Sequence, residues 1–272
     1  MKYNNNAGHG KQDSKSCGAG KIVKESIEDR LLAQEVDRLL KLNNDTVYNC
    51  TVDYPNSQQD CLDKIITLCN KNRVDLNISH HLNSGRNDVN GDGSIGGVEV
   101  WVYSKNSAAY EIALRICNEL EKLGFKNRGV KIDPKLQFLR RTKDEALLIE
   151  YFFVDDKDDC NLYNRLGYKA LAKAVVQGIL NKKLNDNTNS SPQGKSFEKG
   201  SYTGHRAKVI SNELNVRYTR WIRNISEPRV IGVLKQDQIV SLEWCEDGWI
   251  SIQGFNGDKG LGYVNSEFLE LL

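Results

Sequence analysis

No apolar run in the sequence approaches the roughly 20 residues that a helix needs to cross a bilayer. Nor does one follow the single positive charge of Met1-Lys2-Tyr3-Asn4-Asn5-Asn6, as the core of a secretory signal would. The expectation is a chain made as a soluble cytosolic product, without membrane insertion. A field of one sign is also missing. Lys and Arg number 38 against 36 Asp and Glu, and a net charge of +2 is too small to hold nucleic acid by long-range attraction. The seven cysteines, Cys17, Cys50, Cys61, Cys69, Cys117, Cys160 and Cys245, include no CxxC pair and are odd in number. That argues against a complete disulfide framework and against a cysteine-built zinc site, and leaves buried, reduced thiols. A compact metal-hydrolase signature such as HExxH is absent as well.

What is present is ordinary globular composition: 272 residues, 39% hydrophobic and 27% charged, enough for one sizeable core and a smaller one. In residues 1–184 short apolar runs alternate with helical periodicity, the pattern of a mostly parallel sheet flanked by helices. Helices are predicted from Ser26 to Leu40, Asp60 to Asn72, Ser107 to Leu123 and Leu162 to Leu180, with Gly124 as a stop. Strands are predicted at Val74 to Ser79, Gly97 to Tyr103 and Ala146 to Phe153, the last apolar on both faces as a central strand must be. Residues 185–199 lack apolar side chains through most of their length and read as a flexible linker. Residues 200–272 carry short strands at turn spacing without a helical segment, the pattern of a small all-β barrel.

In the first domain, polar stations follow strands or open helices: Gly8-His9-Gly10, Glu25, His81-Leu82-Asn83 and Glu150. Loops at the carboxyl ends of strands converge on one crevice in open α/β sheets, so these distant residues can meet. Two imidazoles and a carboxylate make a three-ligand Zn2+ site with a fourth position for water, and a further carboxylate can move the water's proton to a leaving amine. That is metal-assisted amide hydrolysis.

The ordered stations Ala7 to Gly10, Ile22 to Glu25, Asp75 to Ser84, Gly97 to Val100, Asn127 to Lys131 and Leu147 to Glu150 resemble the zinc-dependent N-acetylmuramoyl-L-alanine amidases of phage endolysins and bacterial autolysins. The resemblance implies that His9, Glu25 and His81 hold zinc and that Glu150 is the catalytic acid and base. Strand neighbours point to opposite faces, so only one of His80 and His81 can face the crevice, and the His-x-Asn pattern of that family selects His81. It also selects Glu25 over Glu28, one turn along. The opening Lys2-Tyr3-Asn4-Asn5-Asn6 departs from the family's apolar first strand and is a poor sequence for a buried one.

The segment Asp88 to Glu99 fits the calcium-loop pattern D-x-[DN]-x-[DN]-G-x5-E, which would place Asp88, Asn90, Asp92 and Glu99 around Ca2+. A strand rather than a helix follows it, and Glu99 also belongs to an amidase station, so a solvated Asp/Gly turn is the competing reading. The last seventy or so residues, through Leu214-Asn215-Val216-Arg217, Gly248-Trp249-Ile250 and Gly262-Tyr263-Val264, are similar to bacterial Src-homology-three-like domains. That resemblance implies a wall-binding module. Of Tyr218, Trp221, Trp244, Trp249 and Tyr263, about half are expected in the core of so small a barrel. The whole then reads as an endolysin acting on bacterial peptidoglycan after release from the cytoplasm. The alternatives are a zinc peptidoglycan peptidase, told apart by which new amine appears, and a non-catalytic wall-binding protein, for which Glu150 would be superfluous.

Overall fold

The computed structural model describes residues 1–184, 197–211, 213–220 and 228–272. The chain separates into two units, Met1–Leu184 and Asn185–Leu272. Most of the expected linker, residues 185–196, lies outside the described residues.

Among the described residues, the first unit holds a six-stranded sheet built from Lys2–Ala7 (β1), Thr46–Asn49 (β2), Leu76–Asn83 (β3), Val98–Val102 (β4), Asn127–Ile132 (β5) and Ala146–Phe153 (β6). Their order is β2-β1-β3-β6-β4-β5, parallel throughout except between β4 and β6. The helices are Glu25–Leu42 (α1), Gln58–Cys69 (α2), Ala109–Glu121 (α3), Gln137–Arg141 (α4), Lys157–Leu166 (α5) and Tyr168–Leu180 (α6). Alternate residues of β6 feed two cores. Leu147, Ile149 and Tyr151 pack with Leu32 and Val36 of α1, Ile116 of α3 and Val175 of α6. Ala146 and Leu148 pack instead with Ile65 and Ile66 of α2 and Phe138 and Leu139 of α4. The continuous apolar run of β6 is therefore the consequence of helices on both faces.

Three local expectations change. The helix predicted over Leu162 to Leu180 is two helices, because Gly167 takes a φ of 77° that a side chain would resist, and α5 starts earlier, at Lys157. The Asp156 side chain caps α5 by accepting from the backbone N–H groups of Asp158 and Asp159. The strand predicted to end at Ser79 runs on to Asn83, so both adjacent histidines sit inside β3.

The polar first strand is the third change. β1 is buried between β2 and β3, and the side-chain NH2 of each of its asparagines finds an acceptor, while the Asn4 Oδ1 is left without a partner. Asn4 donates to the Cys69 carbonyl and to Asn77, Asn5 to the Ala33 carbonyl, and Asn6 to the Ile78 carbonyl. A buried amide costs about 1–3 kcal/mol when left unpaired and little when paired, so this strand tolerates its composition.

The second unit is an antiparallel sheet of eight strands among the described residues: Gly200–Ser201 (β7), Arg206–Val209 (β8), Glu213–Arg217 (β9), Val230–Lys235 (β10), Ile239–Glu246 (β11), Trp249–Ile252 (β12), Gly262–Asn265 (β13) and Leu269–Leu271 (β14). Its buried core is mainly aliphatic, including Val209, Val216, Leu242, Ile250, Ile252 and Val264. The expectation that half of the named aromatics would be core is corrected for those described. Trp244 is 49% and Tyr218 41% exposed, Trp249 and Tyr263 are half-buried, and none belongs to the buried cluster. Trp221 lies outside the described residues. No helix of the described residues is long and apolar enough to cross a membrane, and all seven cysteines are free thiols.

Candidate metal centre

His9 lies on the loop that leaves β1, and two features hold that loop. The Gly8 N–H donates to the His80 carbonyl at 2.9 Å. Arg30, on α1, donates through Nη1 to the His9 carbonyl at 2.9 Å and the Gly10 carbonyl at 3.2 Å, and through Nη2 to the Val52 carbonyl and Asp53. Two glycines permit the close approach. A Cβ on Gly8 would run into the His81 ring, and one on Gly18, at φ 66°, would meet the Glu25 carboxylate and the His9 ring.

Glu25 is the first residue of α1, where the positive end of the helix dipole favours an anion. Its Oε2 accepts from the Ala19 N–H at 2.7 Å and its Oε1 from the Leu82 N–H at 3.0 Å. His81 projects from β3. The three stations meet: His9 Nε2 is 3.1 Å from Glu25 Oε1, His81 Nδ1 is 3.2 Å from the same oxygen, and the two ring nitrogens are 3.2 Å apart. Tetrahedral Zn2+ with ligands about 2.0–2.1 Å away sets its donors roughly 3.3 Å apart. The triangle fits such an ion, and the donor set of two imidazoles and a carboxylate suits zinc. Burial alone would raise the Glu25 carboxyl, but hydrogen bonds and charge from His81 and His9 hold it well below the usual carboxylate range. Burial, against a weaker pull from Glu25, lowers His81. At neutral pH the site therefore presents an anion and a neutral imidazole, the forms that ligate a metal.

Glu150 stands next to His81 in the β3–β6 register, and Glu99 of β4 stands opposite Glu150 across β6. The order of the strands thus sets His81, Glu150 and Glu99 in one row. The Glu150 Oε2 is buried without a hydrogen-bond partner. Burial first, then the charges of Glu25 and Glu99, push its carboxyl well above the usual range. Glu150 itself is half-buried, and an unpaired oxygen with a raised proton affinity suits a proton-transfer role.

The neighbours resolve the two choices left by the sequence. Glu28 is fully buried and accepts a hydrogen bond from the Tyr163 hydroxyl, away from the cluster. His80 bonds Tyr151 and Asn5 at 2.7 and 2.6 Å. The calcium pattern does not close. Glu99 is held by Asn83 at 3.0 Å and by Arg128 at 2.8 Å, since its strand register places it on the sheet. Asp88 instead gathers with Asp156 and Asp158, and it accepts from the backbone N–H groups of Gly91 and Asp92. Asp92 accepts from the Ser94 N–H, and Asn90 is exposed. The turn is held by these carboxylates together with Asp158, which accepts from the Gly93 N–H at 2.7 Å. Sequence reasoning assigned no role to Arg30 or Arg128. Arg128 lies in the Asn127 to Lys131 station, while nothing around Arg30 in the sequence signals its clamp on the His9 loop.

A family model described as N-acetylmuramoyl-L-alanine amidase matches residues 6–181. The chain belongs to this amidase family. The catalytic domain of the CD27L endolysin targeting Clostridia difficile is 32% identical, with a TM-score of 0.60 over 68% of this chain and 99% of that one. The amidase AmiC2 of Nostoc punctiforme, at 21% identity and a TM-score of 0.55 over 66% of this chain and 96% of that one, shares the fold. An uncharacterised protein of Clostridium perfringens strain 13 is 28% identical over 204 residues, 75% of this amidase-family chain and 59% of the relative. A second C. perfringens protein, of 38.4 kDa, is 29% identical over 77% of the chain and 61% of its own length. The chain thus spans about three fifths of these two relatives.

Proposed function

We propose that the chain is a Zn2+-dependent peptidoglycan hydrolase that cleaves the amide between N-acetylmuramic acid and the L-alanine of the stem peptide. The observation that carries the reading is the triangle of His9, Glu25 and His81 beside the unpaired Glu150. When bound, Zn2+ supplies a Lewis acid that makes water reactive at neutral pH. His9, Glu25 and His81 hold it there. Glu150 takes the proton of the attacking water as the oxygen adds to the lactyl carbonyl carbon. The C–N bond then breaks, and Glu150 returns the proton to the alanine nitrogen, leaving a lactyl carboxylate and a free amine.

The second unit is read as a Src-homology-three-like module that binds the wall, with residues 185–199 as a tether raising the local concentration of substrate. Its exposed Trp244 and Tyr218 are suited to a recognition surface. Likeness to an endolysin domain supports action on the wall after release from the cytoplasm.

Digestion of purified walls with mass-spectrometric analysis of new termini tests the activity. Muramoyl lactyl carboxylates with L-alanine amines are expected, lost on chelation and restored by Zn2+. New reducing sugar ends, or digestion unaffected by the chelator, would overturn the reading.

A further inference from the structure

The polar first strand has a second consequence, at the back of the His81 ring. His81 Nδ1 faces the metal triangle, while its Nε2 lies 3.1 Å from the Ser79 hydroxyl, two residues back on the same face of β3. The Ser79 Oγ is in turn 2.9 Å from the Asn6 Oδ1, and the Asn6 amide donates to the Ile78 carbonyl at 2.9 Å. Both intermediates are closed off from water, Asn6 at 0% and Ser79 at 2% exposure.

The direction of this chain is set at its far end. A backbone carbonyl only accepts, so the Asn6 NH2 must point at Ile78 and its oxygen must point at Ser79. The single Ser79 proton is then spent on Asn6. Toward His81 the hydroxyl has only lone pairs, which draws the proton of the neutral imidazole to Nε2, against the Glu25 Oε1 that lies 3.2 Å from Nδ1, and leaves Nδ1 the free pair.

We infer that Asn6 and Ser79 are positioning residues that lock His81 in its Nε2–H tautomer, so that Nδ1 is committed to the metal before the metal arrives. This rests on the reading of His81 as a zinc ligand. Partners on the far nitrogen of a ligating histidine fix both ring orientation and basicity, and their loss typically weakens metal binding by 10–100-fold. The two polar positions on β1 and β3 thereby acquire a role that neither the helical nor the strand periodicity expresses.

The test uses the full chain in its metal-free form with 15N-labelled histidine. Long-range 1H–15N spectra should show His81 protonated at Nε2 in the wild type. Competition with a chelator should then give Zn2+ binding about 10–100-fold weaker in Ser79→Ala and Asn6→Ala, with Ser79→Thr close to the wild type. Far-UV circular dichroism and the metal-free Tm check that the variants fold. An Nδ1–H tautomer in the wild type would overturn the inference whether or not the variants fold, as would Zn2+ affinities within twofold of the wild type in folded Ser79→Ala. Wild type that takes up no Zn2+ would overturn both this inference and the metal reading. Wild type that binds Zn2+ yet releases no alanine amine would sink the amidase reading alone.

Discussion

Glu150 has two consequences that pull in opposite directions, both traceable to burial. As the proton carrier it should be indispensable, so Glu150→Gln is expected to cost at least about 100-fold in wall cleavage while Zn2+ affinity stays near the wild type. As a half-buried carboxyl with one closed-off oxygen and a raised proton affinity it should also cost stability. The folded state binds this proton more tightly than the unfolded chain, whose pKa is about 4.3, so the contribution is lost as pH rises from there. In metal-free protein, Glu150→Gln should therefore raise Tm at pH 7 and gain little at pH 4. Equal Tm shifts at both values would remove Glu150 from this role. Gly8 is the counterpart among residues without a side chain. A methyl group there collides with the His81 ring, so Gly8→Ala should lower Zn2+ affinity more than tenfold, read by chelator competition. An unchanged affinity would show that the ring can give way.

At the scale of elements, β1 and β3 show why alternation matters. Asn5 and Asn6 are neighbours on one strand, yet one supports His80 and the other Ser79, which are also neighbours, on the adjacent strand. His80 donates or accepts at both ring nitrogens, to Asn5 and Tyr151, and burial lowers its pKa to about 3, so it stays neutral. Replacing Asn5 by leucine leaves both the His80 nitrogen and the Ala33 carbonyl without this partner. A loss of about 1–3 kcal/mol in urea-induced unfolding is expected, as the His80 nitrogen is orphaned while the Ala33 carbonyl, inside α1, keeps its helical bond. A loss below about 0.5 kcal/mol would mean that the strand relaxes around the change. The composition of β1 argued against burial because propensity counts each amide as unpaired. The pairing partners lie 28 to 75 positions away in the sequence, where local pattern carries no information about them.

At the scale of the molecule, each unit has a buried core of its own, which is the requirement for a part to fold alone. Residues 1–184 expressed alone are therefore expected to cut soluble wall fragments with kcat/KM unchanged. On intact walls they should fall at least tenfold behind the full chain, because the tethered second unit no longer supplies local concentration. Equal rates on intact walls would deny that unit an anchoring role. The aromatic side chains of the second unit bear on this. The sequence alone placed about half of the five named ones inside, but a mainly aliphatic cluster fills that core, with Trp244 and Tyr218 exposed and Trp249 and Tyr263 half-buried.

The sequence by itself determined the kinds of group available and their order along the chain: His9, Glu25, His81 and Glu150, each at an element end or within a strand that periodicity reveals. It also determined the doubly covered β6, because an unbroken apolar run has no other stable setting. Only the tertiary structure decided which groups meet. Strand order set His81, Glu150 and Glu99 in a row, and the Arg30 clamp brought His9 to within 3.1 Å of Glu25. It likewise turned a strand of asparagines from a liability into the support behind the histidines. The reason is that the cost of a buried polar group depends on its partner, and partners are fixed by the packing of strands far apart in the chain.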